Sequence, residues 1–373
     1  MARSPSLIEV EDLPEPDRLE GFPHPRESER IWGHGAAERM LAQSLTADRL
    51  HHAWLLTGRE GIGKATLAYA VARFALAKPE ERGQGAHPLD VDPSTSAARQ
   101  VRALSHPGLI VLRRPIDPKS KRFSSAIPVD EVRRLRSFLG HTADAGAWRV
   151  VIVDRADELN QSAANALLKS LEEPPPRTVF LLVSSAPGRL SATIRSRCRR
   201  LELAPLASAD LHAAAAAAFQ AAGEPCPGGA EWERLARLAR GSVRAVLSLS
   251  SSGGIKLHDT VAGLFSGLPR IDWQVAHALA DELTASGAEQ RFETFFDLLL
   301  DQLAALVRAA ATGQGEADLG RLAARLVEPG GLASWAELWE TVVREKADTL
   351  ALNLDRKALI LDTLTRLEAV SRG

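Results

Sequence analysis

Between Trp32 and Leu203 the chain alternates short runs of β-type residues with longer stretches of helical character. The runs are Ala53–Leu56, Leu109–Leu112, Val150–Val153, Val179–Val183 and Arg200–Leu203. Most are apolar at successive positions, the pattern of strands covered on both faces. Such strands separated by helices predict a doubly wound α/β domain built on a parallel sheet. After Pro205 no convincing strand remains, and Ala207–Leu249 is rich in Ala, Leu and Arg. The bland run Ala213–Ala218, flanked by His212 and Gln220, reads as a water-exposed helix rather than a membrane segment. Ser250–Gly254 (SSSGG) reads as a hinge or linker. Phe292, Phe295, Phe296, Leu299, Leu300, Leu303 and Leu306 then recur at helical spacing and predict an amphipathic helix. Leu352, Leu354, Leu359, Leu361, Leu364 and Leu367 predict another near the C-terminus. The expected organisation is an extended, Pro/Glu/Arg-rich lead-in over 1–30, an α/β domain over 31–205, and helical regions over 206–252 and 253–373.

Composition narrows the functional classes. At 373 residues the chain exceeds one compact core. Lys and Arg number 46 against 47 Asp and Glu, so contact with nucleic acid would have to use a local patch. Two cysteines, Cys198 and Cys226, exclude a disulfide scaffold and any four-cysteine zinc site, and fit a reducing cytoplasm. Acidic residues and prolines break up the N-terminus before an apolar signal core forms. No apolar run reaches the ~18 residues of a membrane span. The expectation is a cytoplasmic protein with no membrane partner.

The strongest local signal is Trp54-Leu-Leu-Thr-Gly58-Arg-Glu-Gly61-Ile-Gly63-Lys64-Ala65-Thr66. A strand runs into a glycine-rich turn and then a helix from Leu67 to Leu76, the setting of a phosphate-binding loop. Glycines let the backbone curl so that its N–H groups face phosphate, the helix N-terminus favours anions, and Lys64 would sit on the terminal phosphates. Ala65 stands where a Ser or Thr hydroxyl should bind Mg²⁺, and Thr66 is one residue late, turned about 100° away on a helix. A loop that keeps its shape and binds nothing is the competing reading.

In Trp148-Arg-Val-Val-Ile-Val-Asp154-Arg155-Ala-Asp157-Glu158, Asp154 ends a buried strand, where an aspartate reaches Mg²⁺ through water. The next position, where a Glu would activate the attacking water, is Arg155, which cannot act as a base. Asp157 and Glu158 read as first-turn acids stabilising a helix that starts at Asn160. Further on, Asn165–Pro176 reads as a helix stopped by prolines, a strand ends at Ser184 and Ser185, and Thr193–Arg200 forms a cationic turn around Arg195, Arg197, Arg199 and Arg200.

Taken together, Gly58–Thr66, Asp154, Asn165–Pro176 (LLKSLEEPPP) and Ser196-Arg197-Cys198 resemble the bacterial clamp-loader subunits of the AAA+ class, most clearly from Gly33 to Leu249. Ala65 and Arg155 make the delta-prime type of DNA polymerase III subunit the nearer match, rather than the gamma/tau ATPase type. The resemblance implies an AAA+ domain over 31–205, a helical lid over 206–252 and a helical oligomerisation collar over 253–373. It implies a hetero-oligomeric ring with gamma/tau and delta subunits that opens a sliding clamp and closes it on primer–template DNA. It also implies that Arg197 acts in trans as the catalytic arginine of a neighbour's nucleotide site, while this chain's own ATPase is absent. The degenerate nucleotide residues would be Gly58, Gly61, Gly63, Lys64, Thr66, Asp154, Ser185 and Arg244, with ATP or ADP as ligand; Ser184 is the alternative to Ser185 as the phosphate-sensing hydroxyl.

Subunits of this type often carry a four-cysteine zinc module, but Lys78 to Leu104 holds no cysteine and only His87, so no zinc is expected. Arg113, Arg114, Lys119, Lys121, Arg122, Arg133, Arg134 and Arg136, set against Asp117, Asp130 and Glu131, form a locally basic stretch. By the resemblance it would track the DNA backbone without sequence preference; a solvated face is the competing reading. Two other functions compete: an ATP-hydrolysing gamma/tau-type subunit or other AAA+ motor, and a plain DNA-binding module.

Overall fold

The computed structural model describes residues 15–83, 87–117, 122–140, 147–251, 253–313, 317–328 and 330–373. Lys119 and Lys121 lie outside the described residues. The chain divides into two compact units, Met1–Cys226 with Gly241–Val243, and Pro227–Arg240 with Arg244–Gly373.

In the first unit α1 (Gly35–Thr46) precedes β1 (Ala53–Thr57), and α2 (Lys64–Leu76) follows it. Then come α3 (Ser96–Arg102), β2 (Leu109–Leu112), the short antiparallel pair β3 (Ile116–Asp117) and β4 (Arg122–Phe123), and α4 (Val129–Gly140). The order continues with β5 (Arg149–Val153), α5 (Gln161–Glu172), β6 (Thr178–Ser184), α6 (Ala192–Arg197), β7 (Arg199–Glu202) and α7 (Ser208–Ala222). Among the described residues five strands form one parallel sheet in the order β2-β5-β6-β1-β7. The five apolar runs of the sequence are these strands, each within a residue or two. Side chains alternate across a strand, so Val150 and Ile152 join the core with α1 and α2, while Val151 and Val153 join the core with α4 and α5. β6, between β5 and β1, is buried along its whole length. A sheet of this kind gathers the loops at the carboxyl ends of its strands along one edge, where ligands of open α/β folds bind.

Residues 15–29 form a strap against this unit. The Glu15 carboxylate accepts from Arg26 and Arg113, each at 2.7 Å. Arg73 of α2 donates to the carbonyls of Arg26 and Ser28 at 3.1 and 2.9 Å. Phe22 meets Phe219 of α7 edge to face, with ring centroids 5.4 Å apart. His24 is fully buried edge-on to Tyr69 of α2, and its Nδ1 accepts the Arg26 N–H at 3.1 Å.

The second unit is helical: α8 (Gly229–Ala239), α9 (Val243–Ser250), α10 (Gly254–Gly267), α11 (Trp273–Thr284), α12 (Glu289–Thr312), α13 (Ala317–Leu326), α14 (Leu332–Leu352) and α15 (Arg356–Val370). α12 carries the predicted phenylalanine–leucine stripe into a core with Trp335 and Val342 of α14 and Leu364 of α15. The second predicted stripe is corrected. Leu352 ends α14 and Leu354 lies in the turn before α15, and both are exposed; Leu359, Leu364 and Leu367 carry it into the core, with Leu361 packed against that core. The asparagine at 353, in left-handed conformation, breaks the helix there and shifts the face. Among the described residues no helix is long and apolar enough to cross a membrane.

Burial pushes His24 down to about 4, so the folded protein takes up its proton later than the unfolded chain does. Stability therefore falls as pH drops from 6.5 towards 4. Replacing His24 by Asn, which keeps an acceptor for the Arg26 N–H, should remove about 2 kcal/mol of the loss between pH 7 and 5, measured by urea unfolding; an unchanged loss would contradict this.

Candidate nucleotide site and arginine turn

The loop from β1 to α2 turns through Gly58, Gly61 and Gly63 at φ of 138°, 76° and 103°. A Cβ on Gly58 would lie 2.5 Å from the Leu203 carbonyl oxygen and 2.7 Å from Ile62 Cδ1. The loop's carbonyls are all engaged by the unit itself. Lys64 Nζ donates to Gly58 O and Arg59 O at 2.7 and 2.6 Å. Ser242 Oγ donates to Glu60 O, and Val243 N to Gly61 O, each at 2.9 Å. His34 Nε2 meets Ile62 O at 2.7 Å, and Leu67 N donates to Gly63 O at 2.9 Å.

Lys64 is 4% exposed and makes a third hydrogen bond, to Ser185 Oγ at 2.8 Å. Because β6 lies beside β1, the residue after its last position falls opposite the loop. Ser184 Oγ is instead buried with no hydrogen-bond partner, so of the two hydroxyls it is Ser185 that meets the lysine. Burial pushes the Lys64 ammonium down to about 8.

Asp154 leaves β5 almost fully buried, at 3% exposure. Burial raises its pKa well above the usual carboxylate range, and a hydrogen bond with the Asp17 carboxyl of the strap adds to the rise. Its other oxygen has no hydrogen-bond partner. Arg155 follows in a left-handed conformation, φ 54°, and its guanidinium pairs with Glu60 of the loop at 3.2 Å and with Glu158 at 2.8 Å. Asp157 and Glu158 do not lie in the first turn of α5, which corrects the expectation from the sequence. They occupy a separate 3₁₀ turn, Ala156–Glu158, and Asn160 caps α5 by accepting from Ala163 N at 2.8 Å. Asp157 accepts from Ser185 N at 3.2 Å, and Glu158 is shared with Arg114 at 2.8 Å.

These residues do not fit magnesium. At the position that needs a hydroxyl Ala65 offers a methyl, Thr66 is the following residue of the helix, and Asp154 is turned to Asp17. The fit to a nucleotide's phosphates is better: a glycine turn opening a helix, with an ammonium at its centre.

On the opposite side of β1, Arg197 ends α6. Its guanidinium pairs with Glu172 at the end of α5 at 2.5 Å and donates to Thr193 O at 3.0 Å, leaving the side chain 34% exposed. The neighbouring arginines serve the unit: Arg195 donates to Pro187 O, Arg199 lies over the Trp54 ring, and Arg200 donates to Thr57 Oγ1. Burial pushes the Cys198 thiol up to about 12. Arg244 is the second residue of α9 and lies in the second unit. In the basic stretch Arg113, Arg114, Arg133 and Arg134 pair with Glu15, Glu158, Asp130 and Glu131. Among the described residues no group of three or more His, Cys, Asp or Glu is placed to hold a metal ion.

Sequence reasoning missed Asp17, His34, Glu60, Ser242 and Val243, whose contacts come from distant segments or from backbone. Gly58→Ala should cost about 1–3 kcal/mol, since alanine tolerates neither the positive φ nor the contact with Leu203; calorimetric melting measures it, and an unshifted melt would contradict the loop geometry.

The family model described as DNA polymerase III, delta subunit, matches residues 33–207. The DNA polymerase III subunit delta' of Pseudomonas aeruginosa is 31% identical over 317 residues, covering 84% of this chain and 90% of the relative. The subunit delta' of Escherichia coli K12 is 37% identical over 166 residues, 44% of this chain and 46% of the relative. The subunit tau of the same organism is 28% identical over 322 residues, 83% of this chain and 46% of the relative. By these similarities the chain belongs to the delta-prime family of DNA polymerase III clamp-loader subunits.

Proposed function

We propose that this chain is the delta-prime-type member of a clamp-loader ring, turning over no ATP itself and presenting Arg197 to nucleotide held by a neighbouring gamma/tau-type subunit. What carries this reading is the contrast between its two charged sites. In its own pocket the hydroxyl position is a methyl at Ala65, the base position is a cation at Arg155, and Asp154 is engaged by Asp17. At the arginine turn, Glu172 and Thr193 hold the Arg197 fork in place while leaving it partly exposed. A planar, fixed guanidinium suits the charge that develops on a transferring phosphoryl group.

In this reading the partners are gamma/tau and delta subunits and the sliding clamp, with segments 206–252 and 253–373 as lid and collar. Glu15 and Glu158 hold Arg113 and Arg114, while Arg133 and Arg134 stay mostly exposed beside Asp130 and Glu131, so any contact with DNA phosphate there is a salt-sensitive term.

The test is reconstitution with gamma/tau and delta subunits, clamp and primed DNA. Arg197→Ala should slow ATP turnover at the one site it serves by roughly a thousandfold, and Arg197→Lys should fail to restore it because a point charge lacks the fork. An unchanged rate with Arg197→Ala would reject the role. The isolated chain should hydrolyse no ATP above a no-protein control; vigorous turnover would favour the gamma/tau-type reading instead.

A further inference from the structure

We propose that the phosphate loop binds the polyphosphate of a nucleoside di- or triphosphate without a divalent cation, with the Arg155 guanidinium supplying the positive charge that a metal would carry. The inference deepens the proposed function at the chain's own pocket, and rests on that reading only in treating the pocket as one that does not hydrolyse.

Three observations carry it. The first is the shape of the loop. The carbonyls of Glu60, Gly61, Ile62 and Gly63 are tied to Ser242, Val243, His34 and Leu67. In a trans peptide the C=O of one residue and the N–H of the next point in opposite directions. The amides of Gly61, Ile62, Gly63 and Lys64 therefore face away from those partners, as in an anion nest. The turn keeps this geometry although the hydroxyl that would recruit a metal is missing at Ala65.

The second is the pair of cations. Lys64 binds the loop at the Gly58 and Arg59 carbonyls, and Arg155 meets it at the Glu60 side chain. The third is that the hold on Arg155 is releasable where it meets the loop. Its contact with Glu60 is 3.2 Å long and both side chains are partly exposed, at 31% and 47%. Such a pair is worth roughly 0–1 kcal/mol, whereas a guanidinium fork on phosphate makes two charge-assisted bonds. A polyphosphate can displace Glu60 and take its place. Glu158, shared between Arg114 and the Arg155 Nε at 2.8 Å each, keeps Arg155 in place, and Asp157 accepts the Ser185 N–H. Asp154, hydrogen-bonded to Asp17, is committed to the strap rather than to a metal.

The experiment is a titration of the purified full chain with a fluorescent ADP or ATP analogue, in magnesium and again in excess EDTA. The dissociation constant should agree between the two buffers within about twofold. Arg155→Gln should weaken binding roughly ten- to hundredfold in both, and Arg155→Lys should recover part of the loss. Circular dichroism melting of each variant separates lost binding from lost folding. Abolition of binding by EDTA, an unaffected Arg155→Gln chain that melts normally, or no binding by the parent chain in either buffer would each overturn the proposal. None of these results bears on Arg197, whose role is read from a neighbour's turnover.

Discussion

One buried ammonium ties the site together. Lys64 sits at the first position of α2 and spends its three protons on Gly58 O, Arg59 O and Ser185 Oγ, joining the loop after β1 to the segment after β6. It can do so only because the strand order places β6 against β1 with all strands parallel, so that their carboxyl ends open on the same edge. Removing an ammonium from water is costly, which is why burial lowers its pKa to about 8. Two carbonyl dipoles and a hydroxyl offset that cost. The glycines at 58, 61 and 63 are the backbone condition for it, since only a chain free to take positive φ can fold its carbonyls around the amine.

Around that lysine the charged side chains are engaged with one another. A carboxylate facing solvent after β5 would invite a metal; here Asp154 meets a second carboxyl from the strap, and burial with that contact favours its protonated form. A carboxylate one residue on would orient water; here Arg155 reaches back to Glu60 and forward to Glu158. The strap is thus part of the site. Glu15, Asp17 and His24 contact Arg113, Asp154 and Tyr69 from a segment outside the sheet. At the end of α6 the opposite arrangement holds, with a guanidinium fixed at its edges and open at its face.

Much of this architecture is legible in the sequence because it depends on local rules. Runs of consecutive β-branched and leucine residues mark strands buried on both faces, and β5 and β6 follow within a residue or two. The loop is legible because glycine spacing, a lysine and a following helix form one physical unit. Less legible are contacts whose partners lie far apart in the chain. Nothing local to Asp17 announces that it meets Asp154, and nothing in Gly241-Ser-Val243 announces that a serine hydroxyl and a backbone N–H anchor Glu60 and Gly61. Asp157 and Glu158 are not legible because a short 3₁₀ turn, ended by extended Leu159, intervenes before Asn160 caps the helix, and acidic residues suit either setting. Leu352 and Leu354 follow leucine spacing, yet the helix breaks between them. The basic stretch looks cationic along the sequence, yet its Arg113, Arg114, Arg133 and Arg134 are paired in space.

The proposed function divides the labour of the ring: this chain's pocket keeps the frame of an ATPase without turning over, and its arginine acts elsewhere. The most direct measurement is the amount of ATP cleaved in a single turnover by the reconstituted loader. The account predicts one equivalent for each gamma/tau-type subunit and none for this chain. A further equivalent per assembled complex would place hydrolysis in this subunit and contradict the account.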